Sequence, residues 1–410
     1  MAAVQTAEHS AATAAKGRER SGDPRVLMVV EKLYGLGGAQ KQALRLSHAL
    51  RGLGVEATIV TGRWRFCEPA RAEVEGVPVT AVFTAFKMFH VKGIRKLGIY
   101  VYLLSLLLHL YRRRKHFDIL HVHSATSSAF LVALAGRWLG KPTVMKVMAS
   151  GPWSDFTRMK KSGEVPGSRS MSSFFRRVDR VICLNPEAKA ECLAEGFATE
   201  KCISIPNGFP VREVRARVDY KQREVMRVVF SGRLDPQKNP LLLLEAMERV
   251  ATKPGGERIE VLLLGDGPER SAVEERVRDL RLEKRVKLLG RVEDIETHLQ
   301  DADIFVLPSN SEGISNALLE AMAHGVPSIA TDIPGNAELI RDHETGLLVK
   351  PGDAAGLGQA ILELAADRGL RERLGRAARA FVEEWFEMET IARRYLEVYR
   401  ELAEGMEDGD

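Results

Sequence analysis

The chain has 410 residues, of which 45% are hydrophobic and 28% charged, with a formal net charge of +5. That length exceeds what one hydrophobic core usually supports, and the composition is that of a soluble protein, so two domains of about 180 residues each are expected. Residues 1–200 carry 30 Lys and Arg against 16 Asp and Glu, whereas residues 201–410 carry 30 against 39. A basic first half points to an anionic partner such as a lipid headgroup or a pyrophosphate-linked acceptor; no nucleic-acid recognition motif accompanies the charge. Basic residues scattered over a solvated face are the competing account. Cys67, Cys183, Cys192 and Cys202 have neither C-x-x-C spacing nor a nearby histidine cluster, which argues against a disulfide framework or zinc site and for a reducing cytosol.

Residues 1–24 lack the apolar core of a signal peptide and read as a disordered tail. Residues 26–30 then read as a strand and 40–53 as a helix, joined by Gly35-Leu36-Gly37-Gly38. Glycines there allow a backbone to approach a phosphate at a helix start, but the full G-x-G-x-x-G spacing is absent and an ordinary strand-to-helix turn needs glycine too. After a strand at 57–61, residues 97–111 are almost wholly apolar, preceded by Lys92, Arg95 and Lys96 and followed by Arg112, Arg113, Arg114 and Lys115. Fifteen helical residues reach about 22 Å, short of a bilayer core. A core helix packed on most sides is the first reading and a membrane-surface contact the second, and the two are compatible.

The strand at 119–123 places His121 and His123 on one face, with His123 nearer the end that would open on a cleft. A neutral imidazole there can bond a sugar hydroxyl; a satisfied core histidine is the alternative. Strands at 143–148 and 180–184 follow, and the stretch 149–156 with Arg158, Lys160 and Lys161 is a candidate acceptor side. Beyond a junction at 206–219 the pattern restarts with strands at 227–231, 260–264, 286–288, 304–308, 328–331 and 346–349, and a helix at 240–250. Arg233 and Lys238 follow the first of these strands and are placed to neutralise a pyrophosphate, although a solvated surface cation is the ordinary reading of either alone. Asp301-Ala302-Asp303 precedes an apolar strand at the end away from the cleft, so it reads as a turn or cap and no metal is assigned.

The stretch Ser311-Glu312-Gly313-Ile314-Ser315-Asn316-Ala317-Leu318-Leu319-Glu320 is the most specific in the chain. Two carboxylates eight positions apart at a helix start would lie about 12 Å apart along the axis on nearly one face. They could hold the two ends of a nucleotide sugar, with a phosphate on the free N–H groups between. A final amphipathic run at 376–402 could cross back onto the first domain. The expected architecture is α/β: two doubly wound Rossmann-like domains at 25–205 and 206–384 facing across a cleft, with a crossover helix and tail at 385–410.

Taken in order, Gly37-Gly38, His123, Ile205-Pro206-Asn207-Gly208, Arg233 with Lys238, Gly265-Asp266-Gly267-Pro268, Gly290-Arg291-Val292 and Glu312 to Glu320 resemble the retaining family 4 (group 1) glycosyltransferases of the GT-B fold. The resemblance runs from about residue 25 to the last helix. It implies hexosyl transfer, without cofactor or metal, from a nucleotide sugar, UDP being the common base, to a glycan or lipid-linked acceptor. Glu320 would hold the ribose and Glu312 a donor-sugar hydroxyl. Backbone amides at Ser315, Asn316 and Ala317 would meet sugar and phosphate. Arg233 and Lys238 would take the pyrophosphate, joined by Gly38 and the Gly37 loop on closure, with Arg291 and Val292 at the base and His123 at the transferred sugar. A polyprenyl-pyrophosphate-linked oligosaccharide is the preferred acceptor, which places the protein in the cytoplasm with peripheral contact to an anionic membrane. A nucleotide-sugar epimerase of the same fold and a catalytically silent nucleotide-sugar-binding subunit remain the alternatives.

Overall fold

The structure is a computed structural model and describes residues 22–34, 37–84, 95–162 and 174–407. Most of the expected tail at 1–24 therefore lies outside the described residues, as do Gly35, Leu36 and Lys92.

The first half forms an eight-stranded sheet from β1 (Val26–Val30), β2 (Ala57–Arg63), β3 (Arg71–Val74), β4 (Val77–Phe83), β5 (Ile119–His123), β6 (Thr143–Val147), β7 (Arg180–Cys183) and β8 (Cys202–Ser204). Their order across the sheet is β3-β4-β2-β1-β5-β6-β7-β8, parallel except for the antiparallel β3–β4 pair. β1, β5 and β6 are buried along their whole length, as expected of strands covered on both faces. Helices α1 (Gly38–Gly52), α2 (Arg95–Arg113) and α3 (Ser127–Leu139) connect the strands and cover them.

The second half forms a six-stranded, all-parallel sheet from β9 (Met226–Ser231), β10 (Ile259–Leu264), β11 (Val286–Gly290), β12 (Ile304–Leu307), β13 (Ser328–Thr331) and β14 (Leu347–Val349), in the order β11-β10-β9-β12-β13-β14. Helices Pro240–Ala251 and Ala354–Ala366 cover one face. α4 (Asn316–Ala323) and α5 (Arg368–Trp385) cover the other. α6 (Met388–Glu407) then returns to the first sheet, where Ile391, Tyr395, Tyr399 and Leu402 join the core formed by β1, β2 and α1.

The run at 376–402 comprises α5 and α6, divided between Trp385 and Met388 at the start of the expected crossover helix; there the Phe209 backbone donates to the Phe386 carbonyl and accepts from the Met388 amide, both at 2.9 Å. β3 and β4 also add an edge to the first sheet that the sequence reading passed over. The apolar helix at 97–111, finally, is packed on one side only. Tyr102, Leu106 and Leu110 are fully buried, while Tyr100, Leu104, Leu108 and Tyr111 are exposed. Among the described residues, no helix is long and apolar enough to cross a membrane.

Candidate active site

In an open parallel sheet, ligands collect beyond the carboxyl ends of the strands where the strand order reverses, because two neighbouring loops diverge there and leave a crevice. The first sheet reverses between β1 and β5, and the second between β9 and β12. On one side Gly37-Gly38 follow β1 and His123 ends β5; on the other, the loops leaving β9 and β12 carry Arg233 and Lys238 and the Ser309–Ser315 segment.

Across this cleft the two halves are joined by side chains from α1 and α4. Gln42 donates to the Asn316 side-chain oxygen and to the Gly208 carbonyl, both at 2.8 Å. Arg45 donates to Glu320 Oε1 at 2.8 Å, with the two side chains only 18% and 8% exposed, and its guanidinium lies 4.5 Å over the Phe209 ring. Asn207 adds a bond to Asn316 at 3.1 Å. A Cβ on Gly38 would fall against the Asn316 amide nitrogen, so the α1 start approaches α4 closely here and a larger residue would have to displace that amide. Asn316 and Glu320 are one turn apart on α4, and Gln42 and Arg45 are three residues apart on α1, so each pair shares a helix face.

A second junction is made by the loop before α4. Lys238 Nζ donates to Glu312 Oε1 at 2.5 Å, and the Ser309 hydroxyl donates to the same oxygen at 2.7 Å. Glu312 is buried, and its carbonyl accepts from the Ser150 hydroxyl at 3.3 Å. Ser311 donates to the Ser150 carbonyl at 2.9 Å, and Asn185 to the Gly313 carbonyl at 2.7 Å. Ser315 caps α4 by accepting from the Leu318 amide, which places the unpaired N–H groups of the helix start, including Asn316 and Ala317, against the cleft.

The expectation that Glu312 and Glu320 share a helix face is corrected. The helix begins at Asn316, so Glu312 sits in the preceding loop, bound to Lys238, while Glu320 alone projects from the helix, toward Arg45. Ser315 caps the helix, and ahead of it Gly313 closely approaches the first domain, where a Cβ would lie 2.7 Å from the Met148 carbonyl oxygen. Arg233 is not gathered into this cluster. Its side chain is 69% exposed, 3.5 Å from Asp235. Arg291 is exposed and Val292 half-buried on the loop after β11.

His123 is buried at the carboxyl end of β5, its ring 4.3 Å from that of His121. Burial, then His121 and Lys146, hold its pKa well below the usual histidine value, so the ring is neutral. Neither of its ring nitrogens has a partner among the described residues. His121 Nδ1 and the Tyr399 hydroxyl are 2.7 Å apart, and burial brings Lys146 down to about 7. Asp301 and Asp303 face arginines at the start of β12: Asp303 is 2.9 Å from Arg217 and accepts from the Arg227 amide, and Asp301 is 3.4 Å from Arg227. Sequence reading missed Gln42, Arg45 and Ser309. The one signal available for the first two was their spacing on a helix that follows a glycine turn.

The family described as Glycosyltransferase Family 4 matches residues 36–213, and the family described as Glycosyl transferases group 1 matches residues 226–367. The UDP-Gal:alpha-D-GlcNAc-diphosphoundecaprenol alpha-1,3-galactosyltransferase of Escherichia coli is 30% identical over 269 residues, 63% of this chain and 69% of its own length. The chain belongs to the group 1, family 4 glycosyltransferases. Another glycosyltransferase, the lipopolysaccharide core biosynthesis protein LpsE of Rhizobium meliloti, is 28% identical over 368 residues, 88% of this chain and 95% of its own. The crystal structure of Anabaena HepE in complex with UDP-glucose superposes with a TM-score of 0.73 at 19% identity, covering 92% of this chain and all of that one. The glycosyltransferase fold is thus GT-B, with its two Rossmann-like domains facing across the cleft described above.

Proposed function

We propose that this glycosyltransferase moves a hexosyl group from a UDP-sugar to a glycan or polyprenyl-pyrophosphate-linked acceptor with retention of anomeric configuration. The supporting observation is the polar cluster of Lys238, Glu312, Asn316 and Glu320, set between two facing switch points and bridged by the first domain. The printed names of the relatives, a lipopolysaccharide core enzyme and a galactosyltransferase acting on a diphosphoundecaprenol acceptor, support the acceptor class. HepE, bound to UDP-glucose, supports the donor class.

In this reading Glu320 accepts from the ribose hydroxyls and Glu312 from a hydroxyl of the donor sugar. The amides at Ser315, Asn316 and Ala317, with Gly38 and the Gly37 loop, receive phosphate oxygens. Lys238 and Arg233 offset the charge that grows on the departing diphosphate, in the place a divalent cation fills elsewhere. Arg291 and Val292 flank the base, and the neutral His123 bonds the sugar being transferred. The acceptor hydroxyl attacks from the face that the nucleotide leaves, and the leaving phosphate oxygen takes its proton. The protein then contributes position and electrostatics more than acid–base chemistry. The protein works in the cytoplasm, at the inner membrane face where such an acceptor is found.

The test is to incubate the protein with UDP-hexoses and a lipid extract, with and without EDTA, and assign the product anomer by proton NMR. An axial product from an axial donor, at a rate unchanged by EDTA, is expected. An inverted anomer would refute retention, and loss of activity in EDTA would refute the role given to Lys238 and Arg233.

A further inference from the structure

Outside the cleft, α2 leaves Tyr100, Leu104, Leu108 and Tyr111 exposed by 43%, 68%, 44% and 42%. They recur every three or four residues and so form one stripe, opposite the buried Tyr102, Leu106 and Leu110. α3 adds Leu134 and Trp138, 46% and 61% exposed and one turn apart. The Tyr111 and Trp138 rings stack at 5.3 Å with 15° between their planes, which joins the two stripes into one face. The Arg114 guanidinium lies 4.3 Å over the Tyr111 ring. A continuous apolar face of this kind marks a surface that meets something other than water.

The surrounding charge identifies that partner. Arg112 and Arg113 close α2 and Arg137 stands beside Trp138, all exposed. Beside α3 lies a groove of about 760 Å³ whose walls carry Arg137, Lys141, Arg176, Arg177, Arg180 and Lys201 against Asp179 and Glu401. Some of this charge is already met, since Lys141 lies 3.8 Å from Asp118 and Arg180 4.0 Å from Glu401, but the cations outnumber the acids. A second copy of the chain on this face would bring arginine against arginine. A negatively charged bilayer offers what the face lacks: an apolar boundary for Leu104, Leu108 and Trp138, and phosphates for the arginines.

We infer that the outer face of α2 and α3 docks on an anionic phospholipid bilayer, with the basic groove against headgroup phosphates. This deepens the lipid-linked acceptor reading by fixing which face of the enzyme meets the membrane, and its residues lie outside those assigned to the donor.

The full chain is sedimented with vesicles of phosphatidylcholine alone, and with vesicles containing about a third phosphatidylglycerol, at about 0.15 M salt. The inference predicts binding to the anionic vesicles that weakens as salt is raised. It also predicts that Leu104→Gln with Leu108→Gln, and separately Arg176→Glu with Arg177→Glu, lower that binding at least about tenfold. Melting temperature and donor turnover in the absence of vesicles should stay unchanged in both variants. Failure of the wild-type chain to bind, equal binding to neutral vesicles, or indifference to both pairs of substitutions would overturn the inference. So would a dimer in solution that dissociates on the leucine substitutions, since a second copy would then own the face. Sugar transfer to a detergent-dispersed acceptor separates the two readings. Transfer without vesicle binding removes the docking face alone; vesicle binding without transfer leaves docking standing and removes the acceptor assignment.

Discussion

Arg45 and Glu320 are 275 residues apart in sequence and 2.8 Å apart across the cleft. A charge-assisted bond in a partly desolvated setting is stronger than one in water, and here it orients the carboxylate assigned to the ribose. Arg45→Ala should therefore raise the donor KM about five- to tenfold, corresponding to roughly 1 to 1.4 kcal/mol, with little change in kcat. Steady-state kinetics check this, and partial rescue by Arg45→Lys would distinguish charge from packing. Lys238 has a different task. If it meets charge that appears only as the diphosphate leaves, Lys238→Ala lowers kcat by a factor corresponding to about 2 to 4 kcal/mol and leaves KM nearly unchanged. A rise in KM alone would assign Lys238 to ground-state binding. Glu312 and Glu320 stood out in the sequence because they share one local motif and Lys238 because it follows a strand, but the pairing of Lys238 with Glu312, 74 residues apart, did not. Arg45 and Gln42 did not stand out, because nothing near them announces a partner on the far side of a cleft.

At the level of elements, parallel strands such as β1 and β5 are readable because burial on both faces leaves an unbroken apolar run. β3, with its alternating exposure, and β4, with Pro78 and a half-exposed edge position, carry no such run. The break between α5 and α6 falls at the expected start of the crossover helix at 385. Trp385-Phe386-Glu387 contains no helix breaker, and the Phe209 backbone, from the junction between the two sheets, bonds to both sides of the break. α6 matters for β5 because Tyr399 pairs with His121, and Lys146 lies 5.5 Å from the Tyr395 ring. Burial holds His121 and His123 well below their ordinary pKa of 6.5. The unfolded chain binds protons that the folded chain excludes, so this contribution to stability is complete above the unfolded value and is lost as pH falls below it. His121→Gln should accordingly show a smaller fall in melting temperature than wild type between about pH 7 and pH 5. Parallel pH profiles for the two proteins would contradict the buried neutral assignment.

For the whole molecule, the two domains meet through hydrogen bonds and close backbone approach more than through a shared core. Gly313 is one point of close backbone approach, where a Cβ would lie 2.7 Å from the Met148 carbonyl oxygen. Gly313→Leu should hold the domains apart without unfolding either: a larger radius of gyration by X-ray scattering, a nearly unchanged melting temperature and a severe loss of turnover. A larger radius with full activity would show that the close domain arrangement is not the working one, and an unchanged radius would show that the Gly313 contact does not hold the domains together. The central claim, that this cleft binds a nucleotide sugar and transfers its sugar, is tested most directly by a mass-spectrometric donor screen. The protein is incubated with UDP-, GDP- and ADP-sugars, with and without a lipid extract. Slow release of nucleotide and sugar from a UDP-sugar, accelerated by the extract and lost in Lys238→Ala, is the predicted result. Conversion of a donor to an isomeric nucleotide sugar, or binding without turnover under every condition, would contradict it.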